Sequence, residues 1–214
     1  LFAHEETGTA VSYTRDRHVR CWARTVGVKL IEFSQNGVVR RLNSRDGWNG
    51  YWESRMNQPQ AVVHPLPSCH VNKVVLQLPS SGFLQPDDLG HQISQSDCQA
   101  GGERAAGEIL QNFVERRGQF YAGNISSPVT APSSCSRLSA HLAFGTISIR
   151  RVWQATEKRR SEVRVLAMTE KNQSVQKQFR RWQKSIQSMQ SRLHWHCHFI
   201  QKLEDEPAIE HRNM

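Results

Sequence analysis

The chain has 214 residues, a formal net charge of +9 and a pI near 9.8. That length can bury a real core, as one large domain or two small ones. No apolar run approaches the length a bilayer crossing needs and no signal peptide is visible, so a non-membrane protein is expected. Five cysteines, at 21, 69, 98, 135 and 197, include no C-x-x-C pair. An odd number of isolated thiols fits a reducing cytoplasm. The sequence starts at Leu1 already inside patterned residues, so an excised piece of a longer protein is expected.

In chain order, residues 11–27 read as a helix with Val11, Val19, Trp22 and Val26 as its stripe and Gly27 as its stop. VKLIEF (28–33) reads as a short strand, SQNG as a turn, and GVVRRL as a continuing strand edge or helix. A strand directly after a helix suggests part of an α/β layer. DGWNGYWESRM (46–56) reads as a short helix with two tryptophans. From Gln58 to Gly102, Pro59, Pro65, Pro67, Pro79 and Pro86 break any periodicity, which predicts an interdomain linker. Residues 101–121 are helical, with Ala105, Ile109, Leu110, Phe113 and Val114 on one face. A Ser- and Pro-rich loop covers 122–135, and the remainder is helical in pattern without internal repeats.

Charge concentrates in the last third. Between Arg150 and Lys202 lie thirteen Lys and Arg against three Glu (Glu157, Glu162, Glu170). Such a segment is either a phosphate-contacting surface or a solvated basic face.

Two stretches have residues that could carry chemistry. In SSCSRLSAHLAFGTIS (133–148), a Ser-rich loop runs into an amphipathic helix, where free N–H groups and hydroxyls could hold phosphate. The simpler reading is capping, by Ser136 or Ser139 for one helix and Thr146 or Ser148 for the next. The second stretch is RLHWHCHFIQKLEDEP (192–207). Val175, Phe179, Trp182, Ile186, Met189, Leu193 and Ile200 form one stripe of a long helix, or of two in series, and Cys197 falls on it. His194 and His198, four apart, have the spacing of a two-histidine metal site, but no second ligand cluster accompanies them, so no metal is expected. Trp195 and Phe199 project opposite the stripe. A helix apolar on both sides packs between two protein layers, or between one layer and a planar ligand.

These residues resemble the DNA photolyase and cryptochrome family. SRLSAHLAFGTIS, then RLHWHCHF, preceded by a GGE-x-x-A helix and a tyrosine loop, is similar to the start of its flavin-binding helical domain. YTRDRHVRCWARTVGVKLIEF and GVVRRLNSRDGWNGYWESRM are similar to the end of its Rossmann-like α/β antenna domain. The resemblance implies a mainly α chain with a partial α/β region. It divides the chain into antenna domain (1–57), linker (58–102) and helical domain (103–214). It implies FAD, a light-driven splitting of pyrimidine dimers in damaged DNA, and flavin contacts at Tyr121, Cys135, Ser136, Arg137, Leu138 and Ser139. Substrate contacts fall on Arg192, Trp195, His196 and Phe199.

Departures from the family pattern matter. Cys135 replaces a frequent threonine, Arg192 a lesion-contacting glutamate, and His196 a usual arginine. These leave room for a cryptochrome-like photoreceptor, with a basic helical nucleic-acid-binding module as a third reading. The resemblance also places the first antenna strands before Leu1, and the later flavin contacts and electron-feeding tryptophans after Met214. An isolated piece would then be inactive and could self-associate through exposed core. Lesion and antenna chromophore are left open.

Overall fold

The computed structural model describes residues 1–62 and 98–212. Two three-residue strands, β1 (Phe2–His4) and β2 (Ile31–Phe33), pair in parallel with Phe2 opposite Ile31. Helix α1 (Ala10–Thr25) connects them. The remaining elements are helical: α2 (Trp48–Asn57), α3 (Glu103–Glu115), a 3-10 turn at Arg117–Phe120, α4 (Tyr121–Asn124), α5 (Ala131–Ser134), α6 (Ser139–Ala143), α7 (Ile149–Thr169), α8 (Gln173–Asp205) and a closing 3-10 turn at Pro207–Glu210. The described chain is mainly helical with one small parallel sheet. No described helix is long and apolar enough to cross a membrane.

Helix α8 is a single element, not two in series. It contains neither Gly nor Pro, Asn172 caps it by accepting from the Ser174 and Val175 N–H groups, and it stops before Pro207. Ile186, Met189, Leu193 and Cys197 are buried on the expected stripe. Its most extensive contact is with α7, and the 117–120 turn and α4 pack on it as well. Ser148 caps α7 by accepting from the Arg151 N–H at 3.2 Å, so one of the expected caps is the working one.

The 37–42 segment is neither strand nor helix. It is held from α8 by the side-chain amide of Gln201. Gln201 Oε1 accepts from Val39 N–H at 2.7 Å, while Nε2 donates to Val39 O at 2.9 Å and to Asp205 Oδ1 at 2.7 Å. Three of the amide's hydrogen-bonding positions are thus filled in a residue with no exposed surface, which is how a polar side chain survives burial. The same segment passes close under α2: a Cβ at Gly37 would lie 2.1 Å from Trp52 Cδ1, so only glycine fits. Trp48 Nε1 donates to Gly37 O at 3.0 Å and completes the clasp.

The expected boundary between 57 and 103 does not separate two bodies. Residues 1–59 and 102–212 form one compact unit. The reason is aromatic. Trp48, Trp52 and Met56, four apart on α2, are buried in the same cluster as Leu193 and Cys197, and Trp52 meets Trp153 of α7 edge-on at 4.8 Å. The expected linker, 58–102, falls largely outside the described residues.

Helix α1 forms where expected, yet its stripe is not a buried face. Val11, Trp22 and Val26 are exposed, and Ala23 is the buried position of the helix. Polar contacts hold it instead: Arg15 pairs with Glu6, Arg20 with Glu32, and the Arg40 guanidinium lies 4.6 Å from the Tyr13 ring centre.

Replacing Gln201 with Leu strands both polar groups of Val39, which costs about 2–5 kcal/mol of stability. Urea unfolding of Gln201→Leu against the exposed control Gln187→Ala checks this; equal stabilities would show that the amide is not structural.

Candidate functional site

Consider the His-Trp-His-Cys-His run as α8 presents it. His194 Nε2 lies 3.1 Å from Asn49 Oδ1, and its ring meets Trp52 at 4.8 Å and Trp48 at 5.1 Å, both edge-on. His198 sits 6.0 Å from the Trp48 ring. The Arg45 guanidinium reaches the His198 carbonyl at 3.3 Å and pairs with Asp205 at 3.3 Å. Both histidines therefore face α2 and the segment before it. Among the described residues no three His, Cys, Asp or Glu side chains gather as a metal site. Cys197 is fully buried beside the Trp52 indole and the Gly37 backbone, and burial pushes its thiol pKa up. His196 is partly buried on another flank, and its Nδ1 has no partner among the described residues.

The opposite face is open. Trp195 and Phe199 are 52% and 59% exposed, with their rings edge-to-face at 6.0 Å. Arg192 places its guanidinium 5.4 Å from the Trp195 ring centre. Of the two expected coverings of this side, a second protein layer or a planar ligand, no protein layer is present among the described residues. Arg192, Trp195 and Phe199 share the outward surface, whereas His196 is set apart from it.

The other expected residues gather at the loop before α6. Tyr121 is buried against Phe113, with ring centres 5.6 Å apart. Its hydroxyl pKa is pushed up to about 12, by burial first and by Cys135, while Arg192 pulls it down. The segment that carries Tyr121 is tied to the buried side of α8 by Ser185, whose hydroxyl donates to Gln119 O at 3.0 Å and accepts from Ala122 N–H at 3.2 Å. Leu138 is fully buried and occupies the N-cap position of α6, so neither Ser136 nor Ser139 is that cap. The Ser136 hydroxyl accepts from Leu138 N–H at 3.4 Å, and Ser139 is exposed at the start of a five-residue helix. A helix so short offers little dipole, so it does not supply the phosphate attraction expected of a helix terminus.

Sequence reasoning missed the residue that braces this loop. Arg117 donates to Cys135 O at 2.6 Å, Ser136 O at 3.4 Å, Ile109 O at 3.2 Å and Asn112 Oδ1 at 2.6 Å. One planar guanidinium thereby fixes the loop around itself. Burial and the nearby positive charge of Arg137 both lower its pKa. Arg137 is exposed and holds a left-handed backbone at φ 57°. No local pattern in ERRGQFY distinguishes Arg117 from Arg116; the carbonyls it serves lie eight and eighteen or more residues away.

His194, His196 and His198 all have pKa values lowered by burial, with His198 adding to His194 and with Arg45 and Lys202 adding to His198; Glu53 opposes the shift at His194. The folded state thus favours neutral rings. Their stabilisation is complete above the ordinary histidine value of about 6.5 and fades as pH falls through the lower folded values. Denaturation midpoints are expected to fall between roughly pH 7 and 5, and less so in His194→Gln; midpoints flat across that window in the parent chain would refute the assignment.

No protein-family model, curated protein or solved structure matches this chain.

Proposed function

We propose that this chain is part of a light-driven, FAD-dependent protein of the photolyase and cryptochrome type. In this reading β1–α1–β2 belongs to the end of a Rossmann-like antenna domain, and α3–α8 to the opening of a helical flavin domain. Damaged DNA is the partner of the repair form. The observation that carries the reading is the presence of an open aromatic surface, Trp195 and Phe199 on α8, together with an arginine-braced loop at 135–139.

The residues present fit a phosphate-bearing planar cofactor. Arg137 and Arg117 supply positive charge, and the exposed Ser139 hydroxyl supplies a donor. Tyr121 and Leu138 are buried, so they form the wall behind the loop and do not reach out from it. When bound, a reduced flavin supplies light absorption and an electron donor. The chain's own part is placement: Trp195 offers a flat face to a base turned out of its stack, which costs least for a damaged pair. Arg192 bears on the choice between repair and signalling. A guanidinium donates hydrogen bonds and accepts none, so it cannot take over the acceptor role of a carboxylate. That observation favours the photoreceptor form as the second reading.

The test uses the intact protein that contains this chain. It is expected to purify yellow with flavin absorbance, and Arg137→Ala is expected to weaken flavin retention roughly tenfold or more. A colourless protein that takes up no added FAD would sink both forms. With flavin present, illumination in the presence of dimer-containing DNA separates them: loss of dimers supports repair, and undiminished dimers support the photoreceptor.

A further inference from the structure

The sequence holds two Asn-Gly pairs, Asn36–Gly37 and Asn49–Gly50. In such a pair the glycine backbone nitrogen can attack the asparagine side-chain carbonyl, because no Cβ obstructs the approach. In sequence the two pairs are equivalent; in the fold they are not. Asn49 and Gly50 are exposed in the first turn of α2. The first bond of that helix ladder runs from Tyr51 N–H to Gly47 O at 3.1 Å, so the Gly50 N–H is one of the initial donors and has no partner among the described residues. His194 Nε2 lies 3.1 Å from Asn49 Oδ1, which can only accept, so the imidazole donates to the carbonyl whose carbon is open to attack. A donor there steadies the negative charge that develops on the oxygen. Asn36 is the reverse case. It holds left-handed backbone at φ 54°, and its carbonyl accepts from Arg55 Nε at 3.3 Å. Gly37 is buried, its carbonyl accepts from Trp48 Nε1, and it lies so close to Trp52 that not even a Cβ fits. Closing a ring on Asn36 requires rotating a peptide that these contacts hold on both sides.

We propose that Asn49 is a site of spontaneous deamidation and that Asn36 is protected from it. Loss of the Gly50 N–H proton to solvent lets that nitrogen bond to Asn49 Cγ. The Cγ–Nδ2 bond then breaks and ammonia leaves, giving a cyclic imide across residues 49 and 50. Water adds to an imide carbonyl and reopens the ring. Opening at Cγ gives Asp, and opening at the backbone carbonyl gives isoaspartate. The net change is gain of water and loss of ammonia, with no oxidation or reduction. The fold accommodates the Asp product: α2 has no acid in its first turn and no side-chain cap from Gly47, so a carboxylate at position 49 meets the positive end of the helix dipole. The same carboxylate faces His194 across the existing contact, turning a hydrogen bond between α2 and α8 into a charge-assisted one. Isoaspartate instead lengthens the backbone beside the buried Trp48. Nothing in the proposal depends on flavin or light.

The experiment ages the folded chain at mildly alkaline pH and follows its tryptic peptides 46–55 and 30–40 by mass spectrometry; each contains a single asparagine. Peptide 46–55 is expected to gain the mass of amide-to-acid conversion, in Asp and isoaspartate forms that separate by chromatography. Peptide 30–40 is expected to convert roughly tenfold or more slowly, because it waits for the clasp with α2 to open. In urea the two rates are expected to converge. Gly50→Ala has open space for its Cβ and is expected to keep the amide at position 49, with circular dichroism establishing that the variant is folded. Equal rates for the two peptides in the folded chain, a rate difference that persists unchanged in urea, or undiminished conversion of 46–55 in Gly50→Ala would each overturn the assignment.

Discussion

The structure depends on the buried stripe of α8. Ile186, Met189, Leu193, Cys197 and Gln201 lie one above another along that helix, and the other layers are built against them. Helix α7 makes the most extensive contact with α8, the 117–124 segment sits on it through Ser185, and α2 closes over the histidine and cysteine turn. The last member is polar. Gln201 holds the irregular 37–42 segment through a side-chain amide, giving Val39 the pair of hydrogen bonds that a neighbouring strand would otherwise provide. Loss of regular structure there is compatible with burial only because that amide is fully satisfied.

A long helix committed on one side is free on the other. Because the core needs only the stripe, the outward surface of α8 is open to cations in its first half and aromatics in its second. The two candidate sites follow from this division. The 135–139 loop is fixed by Arg117 at the flank of the helix, and the aromatic pair stands on its outer face. Tyr121 is buried against Phe113. The histidines complete the picture: His194 and His198 belong to the clasp with α2, so the cluster that first suggests a metal serves packing.

How much of this was legible beforehand differs by element. The helices α1, α2, α3, α7 and α8 were legible in the sequence pattern, and the 4-3 stripe of α8 named Ile186, Met189, Leu193 and Cys197, whereas its Val175, Phe179, Trp182 and Ile200 are half-buried and the buried polar Ser185, Gln190 and Gln201 lay outside it. Ser148 was readable as a cap because a capping hydroxyl acts within three residues. Where periodicity failed, the competing cause was tertiary. Val11, Trp22 and Val26 form a sound stripe on α1, yet no described residue covers it. Ser136 and Ser139 looked like caps for α6, but Leu138 took that position because its side chain is buried in the core.

By itself, the sequence determined the helical elements, the inward face of α8, the acid-free cationic run and the placing of Trp195 and Phe199 opposite that face. All of these depend on spacings of three or four residues along one helix. Only the tertiary structure decided the partners. Gln201 finds Val39 across 162 residues, His194 finds Asn49 across 145, and Arg117 reaches carbonyls eighteen and nineteen residues ahead. No short-range pattern encodes such pairings, because they arise only when packed elements bring a buried donor within reach of an unsatisfied acceptor.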